Sequence, residues 1–421
     1  MDAWIAGGIF LVAYALIASE RLDRTLVALL AGLLLIVLGV IDQEAAFAAV
    51  DLSVIFLLAG MMVLASALGR TGFFQWLAIH SVRLSRGDPL RLLIILCIVT
   101  AGLSAFLDNV TTVLLMTPVT LSVARRLGIS PLPYLISQIL ASNIGGTATL
   151  IGDPPNILIG SAAGLDFTDF LVNLGPVVLL IFGVFLVAMV VLFRGHLQVP
   201  DERREAALEA TEESIIRDRG LLVRTLIVVG LTMLGFLLSS ALGLENATVA
   251  LLGATALMLV ARLDPHAMLR EVEWSTLFFF VGLFILVEAI VSVGIVGGIA
   301  TMVADATAGN EGATAMALLW FSAGASAIID NIPYTATAIP VVQHLVEGGM
   351  ASDALWWSLA LGACLGGNLT IVGASANVIV ANLALRAEHP IRFGQFLRYG
   401  AVVVAGSLLI SSVYVWLRYV A

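Results

Sequence analysis

Two aspartate-asparagine pairs lie within long apolar stretches of this 421-residue chain, Asp108-Asn109 in AFLDNVTT and Asp330-Asn331 in AIIDNIPYT. An aspartate at the centre of a bilayer costs about 2.5 to 3.5 kcal/mol on insertion scales, so such a residue is a functional candidate by default. The same residue types also cap helix N-termini, and helices that begin after them would aim free backbone amides into the membrane. We predict that Asp108 and Asp330 exchange a proton or another cation.

Two further stretches interrupt what would otherwise be membrane-spanning helices. The first is NIGGTATLIGDPPNI, from Asn143 to Ile157, and the second is GGNLTIVGASANV, from Gly366 to Val378. Each unpaired backbone amide in hydrocarbon costs several kcal/mol, on the order of a lost hydrogen bond in oil, so these breaks must line a cavity walled by protein. Two broken helices at corresponding positions in one chain are typical of the binding site of a secondary transporter.

The tips and the breaks carry hydroxyl and amide groups that suit a hydrated solute or a hard cation. The predicted substrate-binding residues are Asn109, Thr111, Asn143, Thr147, Thr149, Asn156, Asn331, Asn368, Thr370, Ser375 and Asn377. Their alternative role is to satisfy backbone groups that the breaks leave unpaired. Asn143, Asn156 and Asn377 are the preferred ligands, because a buried amide needs several partners.

Asp153 has no counterpart in the second break, where Ala374 stands at its position. We predict a coupling role for Asp153, and its alternative role is to cap the helix that starts at the two following prolines. Both tips and both breaks lack arginine, and the chain has no lysine. A site with three aspartates and no fixed cation would repel a di- or tricarboxylate unless bound cations neutralised it. The site therefore favours a neutral or cationic solute and a carboxyl group that exchanges a proton, since burial disfavours its charged form.

The composition is that of an all-α polytopic membrane protein, with 60% hydrophobic residues, 12% charged residues and a mean hydropathy of +1.07. Ten apolar runs are long enough to span a bilayer, at 3–19, 25–41, 52–69, 132–160, 168–193, 221–240, 246–263, 274–293, 352–385 and 397–418. The regions 91–124 and 312–346 have the length of re-entrant hairpins, with the acidic tips at their turns. The net charge of −9 argues against nucleic acid as a partner. The sequence has two isolated cysteines, and it shows no pairing of a nucleophile with a base, no metal-binding cluster and no phosphate-binding loop. We therefore predict no enzyme activity, no metal and no cofactor.

The chain contains an internal repeat. A shift of 222 residues aligns VALL at 27–30 with VALL at 249–252 and the first acidic tip with the second, and the shift becomes 221 after the hairpin. The predicted units are an N-terminal helix (1–24), a first repeat (25–193), a linker on the cytoplasmic side (194–220), a connecting helix (221–245) and a second repeat (246–421). The first repeat holds hairpin 91–124 and broken helix 132–160, and the second holds hairpin 312–346 and broken helix 352–385. Five crossings separate equivalent points, so the copies have inverted topology.

The arginines give an orientation for this topology. All of them except Arg418 fall on one side, which the positive-inside rule makes cytoplasmic. Both termini then lie outside, the first hairpin opens from the cytoplasm and the second from the exterior.

The chain resembles the ion transporter superfamily, in the branch of the arsenite permeases and the P protein. The likeness rests on SAFLDNVTTVLLMTPV (104–119), SNIGGTATLIGDPPNILI (142–159), GLDFTDFL (164–171) and IIDNIPYTAT in the second half. It implies a scaffold part, a transport part with both hairpins and both broken helices, elevator-like motion and a homodimer. Carboxylate-transporting relatives carry Ser-Asn-Thr motifs at the tips, whereas this chain has Asp-Asn-Val and Asp-Asn-Ile, which fits proton exchange better than sodium-dicarboxylate symport.

We therefore expect a proton-driven arsenite or antimonite efflux permease in the cell inner membrane. Neutral arsenite is an uncharged trihydroxide that hydroxyls, amides and carboxyl groups can hydrogen-bond without a fixed cation. A sodium/proton antiporter and a sodium-coupled anion (carboxylate) symporter of the same fold are the alternatives, and a passive pore is disfavoured by the two-sided hairpins. A soluble arsenite-pump ATPase is a partner that the Arg-rich side leaves open.

Overall fold

The computed structural model describes residues 1–19, 21–195, 197, 216–350 and 352–421. These residues form twenty α-helices with no strand among them, and a short π-helical turn (Trp416–Val420) follows the last helix. In chain order the helices are α1 (Asp2–Ser19), α2 (Arg24–Val37), α3 (Gln43–Ala48), α4 (Leu52–Arg70), α5 (Phe73–Leu84), α6 (Pro89–Phe106), α7 (Asn109–Leu127), α8 (Leu132–Gly146), α9 (Pro154–Ala163), α10 (Phe167–Phe193), α11 (Arg219–Leu242), α12 (Asn246–Ala261), α13 (Pro265–Leu269), α14 (Trp274–Ser292), α15 (Ile295–Ala306), α16 (Glu311–Ile328), α17 (Asn331–Glu347), α18 (Ser352–Gly366), α19 (Ser375–Arg386) and α20 (Phe393–Val415). The all-α fold expected from composition is confirmed.

Seven helical segments of the described residues are long and apolar enough to span a bilayer. They are Asp2–Ser19, Gln43–Arg70, Pro89–Phe106, Phe167–Phe193, Arg219–Leu242, Trp274–Ser292 and Phe393–Val420. Helices α2, α12 and α15 are apolar but shorter. The two broken helices divide their apolar runs into pieces of 15 and 10 residues in the first copy and of 15 and 12 in the second.

The helices follow the spacing of the sequence repeat. The first residues of α2 to α7 recur 222 positions later as those of α12 to α17, and α8, α9 and α10 recur as α18, α19 and α20 at shifts of 220, 221 and 226. Helices α1 and α11 precede the two copies. In both copies a helical hairpin (α6 and α7, then α16 and α17) precedes a broken helix (α8 and α9, then α18 and α19). The predicted linker lies largely outside the described residues.

The first long helices of each copy pack against the other copy. Helix α2 lies against α14 and helix α4 against α12. A Cβ at Gly60 would lie 2.8 Å from the carbonyl carbon of Ala250, and a Cβ at Gly282 would lie 2.5 Å from the backbone nitrogen of Leu29. Glycine is needed at these two equivalent positions because backbone meets backbone there. We call the four helices α2, α4, α12 and α14 the frame.

Each hairpin packs against the broken helix of its own copy. A Cβ at Gly145 of α8 would lie 2.6 Å from the Cα of Ala101 in α6, and a Cβ at Gly366 of α18 would meet the backbone of Ala323 in α16. This close approach sets each hairpin tip beside the break of the same copy.

The apolar runs of the sequence did not predict two short helices, α5 and α15. Helix α5 packs against both arms of the first hairpin, and α15 packs against the second arm of the second hairpin. Each begins directly after a glycine with positive φ, Gly72 (85°) and Gly294 (79°), a conformation that L side chains rarely adopt. With 12 residues each, these helices are too short to span a bilayer, so a search for long apolar runs does not find them.

Candidate functional site

The acidic tips are helix caps joined to the breaks. The Asp108 carboxylate accepts a hydrogen bond from the backbone N–H of Thr111 (2.7 Å), and that of Asp330 accepts one from the N–H of Ile332 (3.1 Å). The next residue of each tip then donates its backbone N–H to a break: Asn109 to the Gly152 carbonyl and Asn331 to the Gly373 carbonyl, both at 3.1 Å. The capping role expected as an alternative is thus present, and it brings both carboxylates to the breaks.

The asparagines that follow the breaks hold the irregular backbone together. Asn156 donates its side-chain amide to the carbonyls of Thr147 (3.1 Å) and Thr149 (2.9 Å). Asn377 donates to the carbonyls of Gly367 (2.8 Å) and Thr370 (2.9 Å). Both side chains are fully buried. Their Nδ2 groups therefore satisfy freed backbone carbonyls.

The threonines of the breaks also bond to backbone. Thr149 Oγ1 donates to the Ala105 carbonyl and Thr370 Oγ1 to the Ala327 carbonyl, both at 2.5 Å, so each break is tied to its own hairpin. Thr147 Oγ1 donates to the carbonyl of Asn143 (2.7 Å). These hydroxyl protons are occupied in the structure, as the backbone-repair alternative requires.

Asn143 lies at the centre of a fully buried amide cluster that joins the two copies. Its Oδ1 accepts from Asn109 Nδ2 (3.2 Å), and its own Nδ2 donates to Oδ1 of Asn368 (3.0 Å) and Oδ1 of Asn377 (2.9 Å). Four of the predicted substrate-binding amides are thus brought together. Asn109 Oδ1 is buried without a hydrogen-bond partner among the described residues.

Asp153 is fully buried, and it bonds across the copies. The side-chain amide of Asn331 donates to both of its oxygens, at 3.1 and 3.3 Å. The side chains of Asn109 and Cys364 also interact with this carboxyl group. Asp153 stands at the N-cap position of α9, but its side chain makes no capping hydrogen bond. The carboxyl group therefore faces the tip of the second hairpin.

Arg24 is a site residue that the sequence analysis missed. Its guanidinium lies 3.4 Å from Asp330 Oδ2, donates to Ser375 Oγ, and stands 5.1 Å from the ring centre of Phe279. Ser375 Oγ in turn donates to Asp330. The view that the site has no fixed cation is therefore wrong at the second tip, because an arginine from a distant helix reaches it.

Cys364 was also missed as a site residue. It occupies the position in α18 that corresponds to Asn143 in α8, and its thiol lies 3.4 Å from Asn156 Oδ1. The amide at the centre of the cluster, Asn143, is thus matched by a thiol in the second copy. The repeat alignment carried this signal, since it sets the only cysteine of the second half opposite a predicted ligand.

Two cavities lie at roughly equivalent positions of the two copies, and the smaller one opens at the second tip. The smaller, of about 240 Å³, is lined by Asp23, Arg24, Phe279, Asp330 and Ser375 with apolar neighbours. The larger, of about 520 Å³, is lined at the equivalent positions by Glu245, Asn246 and Leu57. Further hydroxyl and carboxyl groups line it, from Ser53, Ser161, Asp166, Asp169, Ser239 and Ser240. Among the described residues no cluster of three histidine, cysteine or acidic side chains could hold a metal ion.

Comparison with known protein families agrees with this architecture. The model of the CitMHS family, described as citrate transporter, matches residues 14–362. An uncharacterized transporter of Mycobacterium tuberculosis (strain CDC 1551 / Oshkosh) is 45% identical over 422 residues, which cover 99% of this chain and 98% of the relative. The human P protein is 34% identical over 501 residues; the alignment covers 99% of this chain and 60% of the P protein.

A solved structure has the same fold. The YdaH transporter of Alcanivorax borkumensis, described as having an unusual topology, superposes with a TM-score of 0.62 over 99% of this chain and 97% of its own. The sequence identity is 16%, so the likeness concerns the fold.

Proposed function

The chain belongs to the CitMHS citrate transporter family of the ion transporter superfamily, and we propose that it exports a small neutral solute such as arsenite or antimonite in exchange for protons. That it is a membrane transporter follows from the family. The solute and the coupling ion are the proposal, as are the inner-membrane location with both termini outside and the association as a homodimer.

The observation that carries the proposal is the buried cluster around Asn143 and Asp153. Its polar groups are amides, one thiol and one carboxyl group, and Asp153 bonds to the amide of Asn331 rather than to a cation. A neutral trihydroxide offers both hydrogen-bond donors and acceptors, so it can pair with the carbonyl oxygen or with the NH₂ group of an amide side chain. A multiply charged anion would meet more acidic than basic groups here, since Arg24 already neutralises Asp330.

Proton exchange is assigned to the three carboxyl groups. A proton that binds Asp108, Asp153 or Asp330 removes one negative charge from a site that is shielded from water. The side of the membrane with the higher proton concentration loads this proton more often. We propose that the hairpins and the broken helices carry this site past the frame, as the resemblance implies. The frame glycines allow close and rigid packing, and the tips are tied to the breaks rather than to one another.

The experiment is uptake into everted membrane vesicles with arsenite, sodium ions or citrate as the solute and a pH-sensitive dye as the second readout. Proton-driven arsenite uptake supports the proposal. Asp108→Asn and Asp330→Asn should each abolish proton-coupled uptake while the folded protein persists, whereas Asp42→Asn, at an exposed helix cap, should leave it unchanged. Full coupled activity in either tip variant would remove the coupling role of that aspartate.

A second candidate function is cation-coupled carboxylate transport. It is favoured by Arg24, the fixed cation that reaches the second tip, and by the description of the family as citrate transporter. The two candidates differ in the vesicle assay: citrate uptake that requires sodium ions and is unaffected by arsenite would select the carboxylate function and contradict the first. Sodium-dependent dye changes without either solute would select sodium/proton exchange.

A further inference from the structure

Three positions that differ between the two copies meet at one place, the tip of the second hairpin. Arg24, Phe279 and Ser375 surround Asp330, and the equivalent positions of the other copy hold Asn246, Leu57 and Pro154. The aromatic ring and the hydroxyl both contact the guanidinium. The second tip thus has a fixed cation, held in place by a ring and a hydroxyl, and the first tip lacks these groups at the equivalent positions.

The pair joins two parts of the protein. Arg24 is the first residue of α2, which belongs to the frame, whereas Asp330 caps α17 in the hairpin. The contact therefore crosses the surface along which the hairpin would move. Ser375 opens α19 behind the second break, so the same guanidinium also reaches the broken helix.

The pair has room to open. The Arg24 side chain keeps 30% of its surface exposed and that of Asp330 keeps 13%, and the cavity of about 240 Å³ lies beside both. Asp23 lines the same cavity. The other carboxyl groups that act on this pair are Asp153, which interacts electrostatically with Asp330, and Glu273, which interacts with Arg24.

We propose that Arg24 is an exchangeable counter-charge for Asp330, displaced by the transported proton and restored when that proton leaves. A guanidinium cannot give up its own proton in proteins, so Asp330 is neutralised either by Arg24 or by an incoming cation. When a proton binds a carboxylate oxygen of Asp330, the intact guanidinium moves into the cavity toward Asp23, and the hairpin is released from α2. This role rests on the proposed proton coupling, and Arg24 acts as a positioning residue through Asp330.

The first test needs no solute. Hydrogen-deuterium exchange is measured on the purified protein for peptides that cover the two tips, in wild type and in Arg24→Gln, at two pH values with correction for intrinsic exchange. We expect exchange at the second tip to rise on the order of fivefold in the variant. This is the change that follows from losing the interaction of a partly exposed ion pair. Lowering the pH should raise it in wild type but not further in the variant.

The first tip is the internal control in the same sample. Unchanged exchange at the second tip in Arg24→Gln, or an equal rise at both tips, would overturn the proposal. Arg24→Lys keeps the charge and should stay close to wild type, so it serves if the glutamine variant does not fold. A lysine variant with the same loss of pH response as Arg24→Gln would likewise contradict a role for the charge.

The second test separates this role from the proposed function. In proteoliposomes that transport the solute found in the vesicle assay, Arg24→Gln should lower uptake driven by a pH gradient on the order of tenfold relative to counterflow at equal pH. Failure of wild type to move arsenite would concern the solute alone, since the exchange measurement does not use one. An unchanged ratio in a folded variant would refute the counter-charge role.

Discussion

Replacing Gly145 by alanine tests the packing that holds the first acidic tip against its break. Gly145 lies in α8 where that helix meets α6, and an added Cβ would lie 2.6 Å from the Cα and 2.7 Å from the carbonyl carbon of Ala101. Real Cβ atoms do not approach backbone so closely, and a backbone atom cannot turn aside as a flexible side chain can. The two helices must therefore separate.

The expected cost follows from this contact. Overpacking of a well-packed interior typically costs about 1 to 3 kcal/mol. Replacing a helical glycine by alanine returns about 0.5 to 1 kcal/mol. The net destabilisation by Gly145→Ala is then about 0 to 2.5 kcal/mol, and the upper half of this range is expected because the Cβ meets backbone. Gly102→Ala in the facing helix, with open space around its Cβ, should stabilise the protein slightly. Gly366→Ala and Gly324→Ala form the equivalent pair in the second copy.

The assay is thermal unfolding of the purified protein together with transport in vesicles. Gly145→Ala should lower Tm and reduce transport, because the separation of α6 and α8 shifts Asp108 relative to the break. Gly102→Ala should leave both at or above wild type. If the two variants have equal Tm and equal transport, the close approach of the helices does not position the tip, and the reasoning fails.

Three further predictions concern stability. Asn143→Ala leaves up to three buried amide groups unpaired, at about 1 to 3 kcal/mol each, so its Tm should fall well below that of Cys364→Ala at the equivalent position; similar Tm values would contradict the central place of Asn143 in the amide cluster. Tyr14→Phe removes the hydroxyl that bonds α1 to the second hairpin and should cost about 1 kcal/mol, seen as a small fall in Tm with transport retained. Gly282→Ala forces a Cβ into the backbone of α2 and should reduce the monodisperse fraction in size-exclusion chromatography, whereas Gly298→Ala, with open space around it, should behave like wild type.

The polar interruptions were predictable because they are anomalous in their surroundings. A tip such as Asp108-Asn109 within apolar sequence, or a Gly-Gly break followed by GDPPN, has few explanations in a membrane protein other than a buried polar site. The repeat shift then predicted the matching of the two halves. The sequence did not predict which polar side chains hydrogen-bond to the backbone of the breaks and which are free to bind a solute. The structure answers this for Asn156 and Thr149, whose hydrogen-bond donors are spent on carbonyls.

The partners across the two copies were not predictable from pattern. Arg24 and Asp330 lie 306 positions apart, and Asn143 and Asn377 lie 234 apart. No periodicity or local motif connects residues at such distances. Arg24 is also the first residue of an apolar helix, a position at which an arginine is expected to lie at the membrane surface. Its contact with Asp330 depends on how α2 crosses α14, where Gly32 and Gly282 let the two backbones approach closely.

In the frame, each helix packs against a helix of the other copy, so the two copies depend on each other for stability. Gly60 and Gly282 lie against backbone of the opposite copy, so a fragment holding one copy would expose these faces of its frame helices and would lose the hydrogen bonds that join the amide cluster across the copies. A chain with a single copy could bury these faces only against a second molecule. Fragments separated at the segment between α10 and α11 should consequently be recovered together when coexpressed, and poorly when each is made alone.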